Sequence, residues 1–151
     1  MNISLYKASI NDKALLDNLL QLYIHDISEF IPFEVGPSGK YENNISAQYV
    51  SSFERSAYII HAEYHIIGFA LIEPTNDYIY VNDLFVLNMW RGKGVGSAVV
   101  DIISKEGKPL NAKFDSKNQL ARFFWENISK NSSHKIEFKE KNGNVNVIVE
   151  Y

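Results

Sequence analysis

The run Arg-Gly-Lys-Gly-Val-Gly at residues 91–96 constrains the fold of this chain more than any other segment. Residues 78–86, which precede it, are rich in β-branched and aromatic side chains, and this composition is typical of a strand. After it, apolar residues recur at helical spacing up to a helix stop at Gly107: Val95, Ala98, Val99, Ile102 and Ile103. The segment therefore predicts a strand, a glycine turn and a helix in succession.

Glycines at alternate positions in this turn allow a ligand to approach the backbone without meeting a Cβ atom. The first N–H groups of the following helix have no partner within the helix, and they carry the positive end of the helix dipole. Such a helix start binds anions, so the sequence predicts a phosphate-binding site at this turn. The alternative is a strand-to-helix turn that needs glycines only for its backbone conformation.

Size and charge limit the kinds of partner. At 151 residues, 46% of them hydrophobic, the chain fits one globular domain, residues 1–151. Its net charge of -3 offers no general attraction for nucleic acid or an anionic membrane, so neither is an expected partner. The sequence has no signal-peptide pattern and no apolar run near the ~20 residues of a membrane span, so we expect a cytoplasmic protein.

Cysteine and histidine usage limits the chemistry. The chain has no cysteine, which excludes disulfides, cysteine metal ligands and a covalent acyl-cysteine intermediate. Its four histidines form no pattern such as H-E-x-x-H. No metal is therefore predicted.

Hydrophobic periodicity divides the first half of the chain into short elements. Asn11 or Asp12 is the predicted cap of the first helix, whose apolar stripe is expected to lie in the core. The predicted elements are a strand at 3–8, this first helix, a loop or frayed helix end at 26–32, a short helix at 45–53, and strands at 57–62, 66–72 and 78–86. The last three strands are expected to form an antiparallel meander that leads to the glycine turn.

The second half of the chain adds a parallel strand, a helix and a hairpin. The strand at 109–114 follows a strand and a helix, and such a unit is usually parallel and right-handed. A parallel pair that splays apart here would open a cleft. Ser116 is the predicted cap of the last helix, and Asn142-Gly143 predicts a hairpin between strands at 134–141 and 145–151.

The motif Arg91-x-x-Gly94-x-Gly96 fits the R/Q-x-x-G-x-G/A signature of the GCN5-related N-acetyltransferases (GNAT), and residues 83–96 resemble that family's fourth strand and pyrophosphate loop. The predicted order β-α-α-β-β-β-α-β-α-β-β is similar to the family's acyl-CoA N-acyltransferase fold. The resemblance implies a mixed α/β fold. Its mostly antiparallel, twisted sheet would have about six to seven strands, with a parallel pair at the cofactor cleft and about four flanking helices.

The resemblance also implies an activity, which is transfer of an acetyl group from acetyl-CoA to a primary amine of a small molecule. Without cysteine, this transfer would be direct, in a ternary complex. A backbone N–H near Phe85 or Val86, freed by a bulge, would polarise the thioester carbonyl. The implied cofactor-binding residues are Leu84, Phe85, Val86, Arg91, Gly92, Lys93, Gly94, Val95, Gly96, Ser97 and Asn118.

A general base matters most for acceptors that resemble lysine. An amine with a pKa near 10.4 costs about 4.6 kcal/mol to deprotonate at neutral pH, whereas an α-amine near 7.8 costs about 1 kcal/mol. Asp83 is the first candidate for this base, because it lies on the central strand just before the implied thioester position, where related diamine acetyltransferases carry an Asp. Glu73 and Glu29 are the reserves.

The family often has a tyrosine that protonates the leaving thiolate, within a pattern similar to N-x-x-A-x-x-F-Y. Here the pattern is Asn118-x-x-Ala121-x-x-Phe124-Trp125, and tryptophan cannot act as an acid. A thiol with a pKa near 8.5 is a tolerable leaving group, so the change is expected to slow the transfer and not to abolish it. Asn118 is expected to hydrogen-bond the pantetheine arm, or else to be only a polar helix start.

The resemblance implies that residues 26–32 form a wall of the acceptor pocket. The phrase Leu22-Tyr23-x-x-Asp26-x-Ser28-Glu29-Phe30 also resembles a subset of bacterial proteins predicted to be acetyltransferases. The implied substrate-binding residues are Asp26, Ser28, Glu29 and Glu73. Carboxylates outnumber cations among them, which favours a cationic small amine; a solvated helix end is the alternative for residues 26–32.

Two other functions are compatible with parts of the sequence. One is a noncatalytic acyl-CoA-binding or regulatory module, which the missing tyrosine allows. The other is a nucleotide-binding α/β domain, since Gly92-x-Gly94 opens a helix and Asp115 ends the next strand. The late position of the glycine loop and the final hairpin argue against this nucleotide-binding domain.

The resemblance also allows a homodimer, although nothing in the chain requires one.

Overall fold

The computed structural model describes residues 1–150 and contains a seven-stranded sheet and four helices. The strands are β1 (Ile3–Lys7), β2 (Ser56–Ala62), β3 (His65–Pro74), β4 (Ile79–Val86), β5 (Leu110–Asp115), β6 (Lys135–Lys141) and β7 (Asn144–Glu150). The helices are α1 (Lys13–Ile27), α2 (Ile45–Val50), α3 (Val95–Ser104) and α4 (Gln119–Asn131). Short 3₁₀ turns at Ile10–Asp12 and Asn88–Trp90 precede α1 and follow β4.

The strand order across the sheet is β1-β2-β3-β4-β5-β7-β6. Every neighbouring pair is antiparallel except β4 and β5, which are parallel and joined through α3. The mixed fold, the meander β2-β3-β4 and the single parallel pair are therefore confirmed. The final hairpin is confirmed as well, because Asn142 and Gly143 both have positive φ, 52° and 76°, as a tight hairpin turn requires.

The sheet has a hydrophobic cluster on each face. On one face, α1 and α2 pack through residues such as Leu16, Leu20 and Tyr49 against buried side chains of β2, β3 and β4. On the other face, α3 and α4 pack through residues such as Val99 and Trp125 against the same sheet. Both faces of β4 are thus covered, which explains why its residues other than Asn82 and Asp83 are apolar or aromatic.

Gly68 on β3 allows β4 to come unusually close. A Cβ atom at this position would lie 1.9 Å from the backbone oxygen of Phe85. Because that oxygen belongs to the backbone of β4, it could not move aside without shifting the strand. Gly68 therefore helps to fix the path of the strand that carries the predicted base.

Several predicted boundaries and caps differ from the structure. Asp12 is the N-cap residue of α1, one of the two residues predicted, but its side chain makes no cap bond to that helix. It accepts instead from the backbone N–H of Ser9, whose own side chain caps the 3₁₀ turn before α1. The cap of α4 is Asn118 and not Ser116, because Asn118 Oδ1 accepts the Ala121 N–H at 3.1 Å. The second helix ends at Val50, before the predicted residue 53. The predicted end of the last strand, Tyr151, lies outside the described residues.

Candidate active site

A large cavity opens where β4 and β5 separate. The two strands pair over three residue pairs only, from Ile79 with Leu110 to Val81 with Ala112. Beyond them β4 continues beside β3 alone, while β5 continues beside β7. A cavity of about 690 Å³ fills the gap and is lined by β4, β5, the start of α3 and α4. It is called the cofactor cleft below.

The start of α3 faces this cleft without a side-chain cap. Gly94 occupies the cap position with φ of 79°, and the first helical bond runs from Ala98 N–H to the Gly94 carbonyl. The N–H groups of Val95, Gly96 and Ser97 therefore have no partner within the helix. All three residues line the cleft, so this helix start has the geometry of an anion site.

The three glycines of the turn serve two different purposes. Gly92 and Gly94 have positive φ, 72° and 79°, which only glycine adopts at low cost. Gly96 does not have a positive φ. A Cβ atom there, however, would lie 2.4 Å from Cε2 of Phe124 on α4. Gly96 therefore permits the close packing of α3 against α4, and the first two glycines set the turn.

Arg91 is held by three groups around the end of β4. Its Nε donates to the Val86 carbonyl at 2.7 Å, its Nη2 donates to Asp26 Oδ2 at 2.7 Å, and its guanidinium lies 5.5 Å from the centre of the Phe85 ring. Asp26 lies in the last turn of α1, so the pair ties this helix to the glycine turn. An arginine has five N–H donors, and the Nη1 donors have no partner among residues 1–150.

Lys93 does not line the cofactor cleft, although it was predicted to bind the cofactor. Its side chain is exposed, and its ammonium lies 5.3 Å from the centre of the Trp90 ring. A cation over an aromatic face is weakly attracted by it. The contact of Lys93 with a cofactor stays a prediction of the sequence.

The central strand carries a bulge at Asn82, earlier than the predicted position near Phe85 or Val86. Leu71 of β3 is opposite Asp83 and Ile72 is opposite Val81, so Asn82 is the extra residue of β4. The bulge is therefore not what frees the backbone near Val86.

The separation of β5 exposes backbone donors of β4. Leu87 N–H donates to the Ile67 carbonyl at 2.8 Å, and hydrogen-bonded pairs alternate along an antiparallel ladder. The N–H groups of Val86 and Leu84 consequently point away from β3, into the space that β5 leaves open. These two donors face the cofactor cleft, which both residues line.

Two asparagines of the cleft have different environments. The Nδ2 atom of Asn82 is buried and has no hydrogen-bond partner among residues 1–150, so a residue that lines the cleft carries an unsatisfied donor. The Oδ1 atom of Asn118 is occupied by its capping bond. Because Asn118 also lines the cleft, it can cap α4 through its Oδ1 atom and still contact a ligand through its Nδ2 atom.

Asp83 lies between α1 and β4, where Tyr23 OH donates to its Oδ1 at 2.5 Å. Its other oxygen has no partner among residues 1–150. Surrounding protein atoms desolvate the carboxylate and raise its pKa from 3.8 to about 6, although the bond from Tyr23 lowers it. The carboxylate remains accessible through the cavities that it lines, and its pKa suits a base that works near neutral pH.

Tyrosines surround this carboxylate and stay protonated. Burial and then the charge of Asp83 raise the pKa of Tyr23 well above its ordinary value. The same two causes raise the pKa of Tyr49 to about 12 and also raise that of Tyr80. Tyr23 is therefore a stable donor to Asp83 and a poor acid.

A second cavity of about 250 Å³ meets Asp83 from the side of α1. Its apolar walls come from α1, α2 and the intervening loop, and include Ile24, Ile27 and Ile45. Its charged lining residues are Glu34, Glu42 and Asp83, with no lysine or arginine among the residues that line it. Asp83 and Tyr23 line this cavity and the cofactor cleft, so the two spaces meet at the carboxylate.

The predicted acceptor residues are only partly brought together. Asp26 lines the cofactor cleft but is paired with Arg91. Ser28 donates to the His25 carbonyl at 2.6 Å, and Glu29 is exposed. Glu73 lies 3.4 Å from Arg55 and lines neither of the two cavities. Asp83 is thus the one predicted carboxylate that both cavities share.

Trp125 lines the cleft at the position where the family pattern often has a tyrosine. It is buried and packs edge-to-face against Phe124, with ring centres 5.1 Å apart. Tyr23 is the only tyrosine among the residues that line the cleft, and it is engaged with Asp83. The lining residues offer no other tyrosine that could protonate a leaving thiolate.

Sequence reasoning missed four residues at this site. Tyr23 was placed in the first helix and in the short phrase at its end without a role at Asp83, and Asn82 was placed in the body of a strand. Glu34 and Glu42 lie in a loop without periodicity, so no pattern pointed to them. The short motif around Tyr23 and Asp26 was the one available signal, because it marked this helix end as unusual.

Comparisons with known proteins define the class. The fold is that of the acyl-CoA-dependent N-acyltransferases. The chain belongs to the acetyltransferase (GNAT) family, whose model matches residues 19–128. Its chemistry is therefore acyl transfer from acyl-CoA, and the nucleotide-binding alternative is wrong. The comparison with curated protein sequences gave no match.

Solved structures of this family share the fold at low sequence identity. An acetyltransferase from Thermus thermophilus has a TM-score of 0.72 and 15% identity, over 99% of this chain and 97% of that chain. The PaiA N-acetyltransferase from Thermoplasma acidophilum, in complex with coenzyme A, has a TM-score of 0.67 and 17% identity over 100% of both chains. An aminoglycoside acetyltransferase from an uncultured soil metagenomic sample, in complex with trehalose, has a TM-score of 0.57 and 15% identity, over 92% and 95%.

Residues 1–150 contain neither a metal-binding cluster nor a membrane-spanning helix. No group of three or more His, Asp or Glu side chains there is arranged so that it could hold a metal ion. None of the helices in this part of the chain combines the length and the apolar character that a membrane span needs.

Proposed function

We propose that the chain transfers the acetyl group of acetyl-CoA directly to the amino group of a small molecule, with Asp83 as general base, and that residues 1–151 are one acetyltransferase domain. One observation carries this proposal: Asp83, with a carboxylate oxygen that lacks a partner among residues 1–150, lines both cavities. An amine in the second cavity and an acyl group in the cofactor cleft would meet at this carboxylate.

The residues around the start of α3 fit coenzyme A. The N–H groups of Val95, Gly96 and Ser97 would bind the pyrophosphate, and Arg91 would add positive charge through its remaining donors. Asn82, which lines the cleft, keeps a buried Nδ2 without a hydrogen-bond partner among residues 1–150. When bound there, acetyl-CoA supplies an acyl group activated as a thioester.

Asp83 has the protonation state that a base needs. With a pKa of about 6, its carboxylate outnumbers its protonated form by about ten to one at pH 7. An aliphatic ammonium near pKa 10.4 must lose a proton before its nitrogen can attack a carbonyl carbon. The oxygen of Asp83 without a hydrogen-bond partner would accept that proton, while Tyr23 holds the other oxygen in place.

Backbone donors of β4 support the electrostatic part of the reaction. The N–H groups of Leu84 and Val86 point into the cofactor cleft, fixed by the ladder between β3 and β4. Donors held in this way stabilise an oxygen on which negative charge develops, and they need no reorganisation to do so. Arg91 fixes the end of the strand by donating to the Val86 carbonyl.

The thiolate leaves without help from a tyrosine. Trp125 has no acidic proton, and Tyr23 keeps its proton because its pKa is raised well above the ordinary value. Tyr23 is therefore a positioning residue that acts through Asp83. The family's usual tyrosine acid is absent, which is compatible with a slower enzyme.

The experiment that tests this function is release of free CoA in the presence of a panel of amines. We expect acceptor-dependent release by the wild-type chain. Asp83→Asn should lower kcat/KM about a hundredfold for an aliphatic amine and leave the CoA affinity, measured by calorimetry, nearly unchanged. Binding of acetyl-CoA without release for any amine would instead identify a noncatalytic acyl-CoA-binding module.

The cytoplasmic location and the homodimer stay predictions of the sequence. Light scattering of the purified chain tests the second of them. A monomer at micromolar concentration would remove the homodimer from the proposal and leave the active site intact, because both cavities are formed by one chain.

A further inference from the structure

The second cavity has features of a binding site for part of the acceptor. About 250 Å³ is the volume of roughly eight water molecules at about 30 Å³ each, which is enough for a short aliphatic chain. Ile24, Ile27 and Ile45 supply apolar walls along it. Asp83 also lines it, with an oxygen that has no hydrogen-bond partner among the described residues.

The charged residues of this cavity all have the same sign. Glu34 and Glu42 are exposed and lie at its rim, and neither forms an ion pair within residues 1–150. No lysine or arginine lines the cavity to neutralise them. A ligand in this cavity would therefore contact exposed carboxylates, apolar side chains and the buried carboxylate of Asp83.

We propose that this second cavity binds the tail of an aliphatic amine that carries another positive charge, so that the preferred acceptor is a diamine. One ammonium group lies at the rim with Glu34 and Glu42, the carbon chain packs against the isoleucines, and the other amine reaches Asp83. This inference rests on the proposed function and deepens it, because it names the class of acceptor.

A matched pair of ligands tests the inference by binding alone. Diaminobutane and butylamine have the same carbon chain and differ in the second amine. With the chain saturated with CoA, calorimetry should give a clearly lower Kd for diaminobutane. The difference should shrink with added salt, because exposed charges are screened.

Charge-neutralising variants test whether Glu34 and Glu42 cause the tighter binding of diaminobutane. The double variant Glu34→Gln with Glu42→Gln should weaken diaminobutane binding about three- to tenfold, as expected for two exposed ion pairs, and leave butylamine binding unchanged. Glu106→Gln, at an exposed glutamate outside both cavities, is the matched control and should change neither. Melting temperatures confirm that all variants fold.

The results separate this inference from the proposed function. Equal Kd values for the two amines, or equal effects of the double variant and the control, would overturn the diamine site. If CoA release then still occurred with butylamine, the acetyltransferase proposal would stand without it. If no amine in the panel caused release, the proposed function itself would be wrong.

Discussion

At the scale of single residues, the environment of Asp83 determines what the site can do. A carboxylate surrounded by protein binds its proton more tightly, because desolvation disfavours the charged form. The hydrogen bond from Tyr23 opposes this effect and fixes one oxygen. The result is a base that is ionised at neutral pH and still has appreciable proton affinity.

The raised pKa has a cost in stability that Asp83→Asn should reveal. In the unfolded chain this carboxylate ionises near 3.8, but in the folded chain near 6, so folding becomes less favourable as pH rises between these values. The difference corresponds to about 3 kcal/mol at pH 7, at about 1.4 kcal/mol per factor of ten. Asp83→Asn should therefore be more stable than wild type at pH 7 and gain nothing below pH ~4, as measured by urea denaturation.

Asp17 provides a control with the opposite sign. Burial raises its pKa, but hydrogen bonds from Lys13 and Ser46 outweigh burial, and the net pKa is lowered. Asp17→Asn should thus destabilise the chain at neutral pH, and this effect should fade in acid. Two variants with the same pH dependence would contradict the assignment of a raised pKa to Asp83.

Removing the Tyr23 hydroxyl should shift the pH dependence of catalysis. Its hydrogen bond lowers the pKa of Asp83, so in Tyr23→Phe the base should ionise at higher pH. The acidic limb of kcat/KM should move upward by about one pH unit, the equivalent of one hydrogen bond to a charged group. Tyr78→Phe, at a tyrosine that lines neither cavity, should leave the limb in place. An unchanged limb in Tyr23→Phe would remove its positioning role.

At the scale of elements, the site depends on where β4 loses its neighbour and on how α3 begins. The sequence predicted both β4 and α3 because their apolar patterns and the glycine turn are local signals. It placed the bulge too late, because a bulge is set by register against β3 and not by local composition. It also missed the Asp26–Arg91 pair, which joins residues far apart in the chain.

The glycine turn can be tested against a glycine at the other end of α3. Gly94 and Gly107 have similar φ, 79° and 74°, and no atom lies within 4 Å of a Cβ built at either position. An alanine at each should therefore cost about 1–2 kcal/mol of backbone strain. Only Gly94→Ala places a methyl group in the cofactor cleft, so it alone should weaken CoA binding, by about tenfold or more.

Calorimetric titration with CoA distinguishes the two variants, and their melting temperatures report the shared strain. Equal CoA affinity in Gly94→Ala and wild type would place the phosphate site elsewhere. A similar loss in Gly107→Ala would mean that α3 as a whole, and not its first turn, controls binding.

At the scale of the molecule, the order of elements was predictable and the acceptor side was not. Strands, helices and the final hairpin follow from periodicity and from Asn142-Gly143, and they agree with the seven-stranded sheet. The second cavity depends on a loop at residues 28–44 that has no repeating pattern, so Glu34 and Glu42 carried no signal. Asp83 was predicted as the base, but only the fold shows that it faces both cavities.

The central claim is that acetyl passes directly between two ligands that meet at Asp83. Without cysteine, and with both cavities open to the same carboxylate, the reaction should require both substrates bound together. Initial rates of CoA release, measured across a grid of acetyl-CoA and acceptor concentrations, test this claim most directly. Double-reciprocal lines should intersect; parallel lines, together with an acetylated protein seen by mass spectrometry, would contradict it.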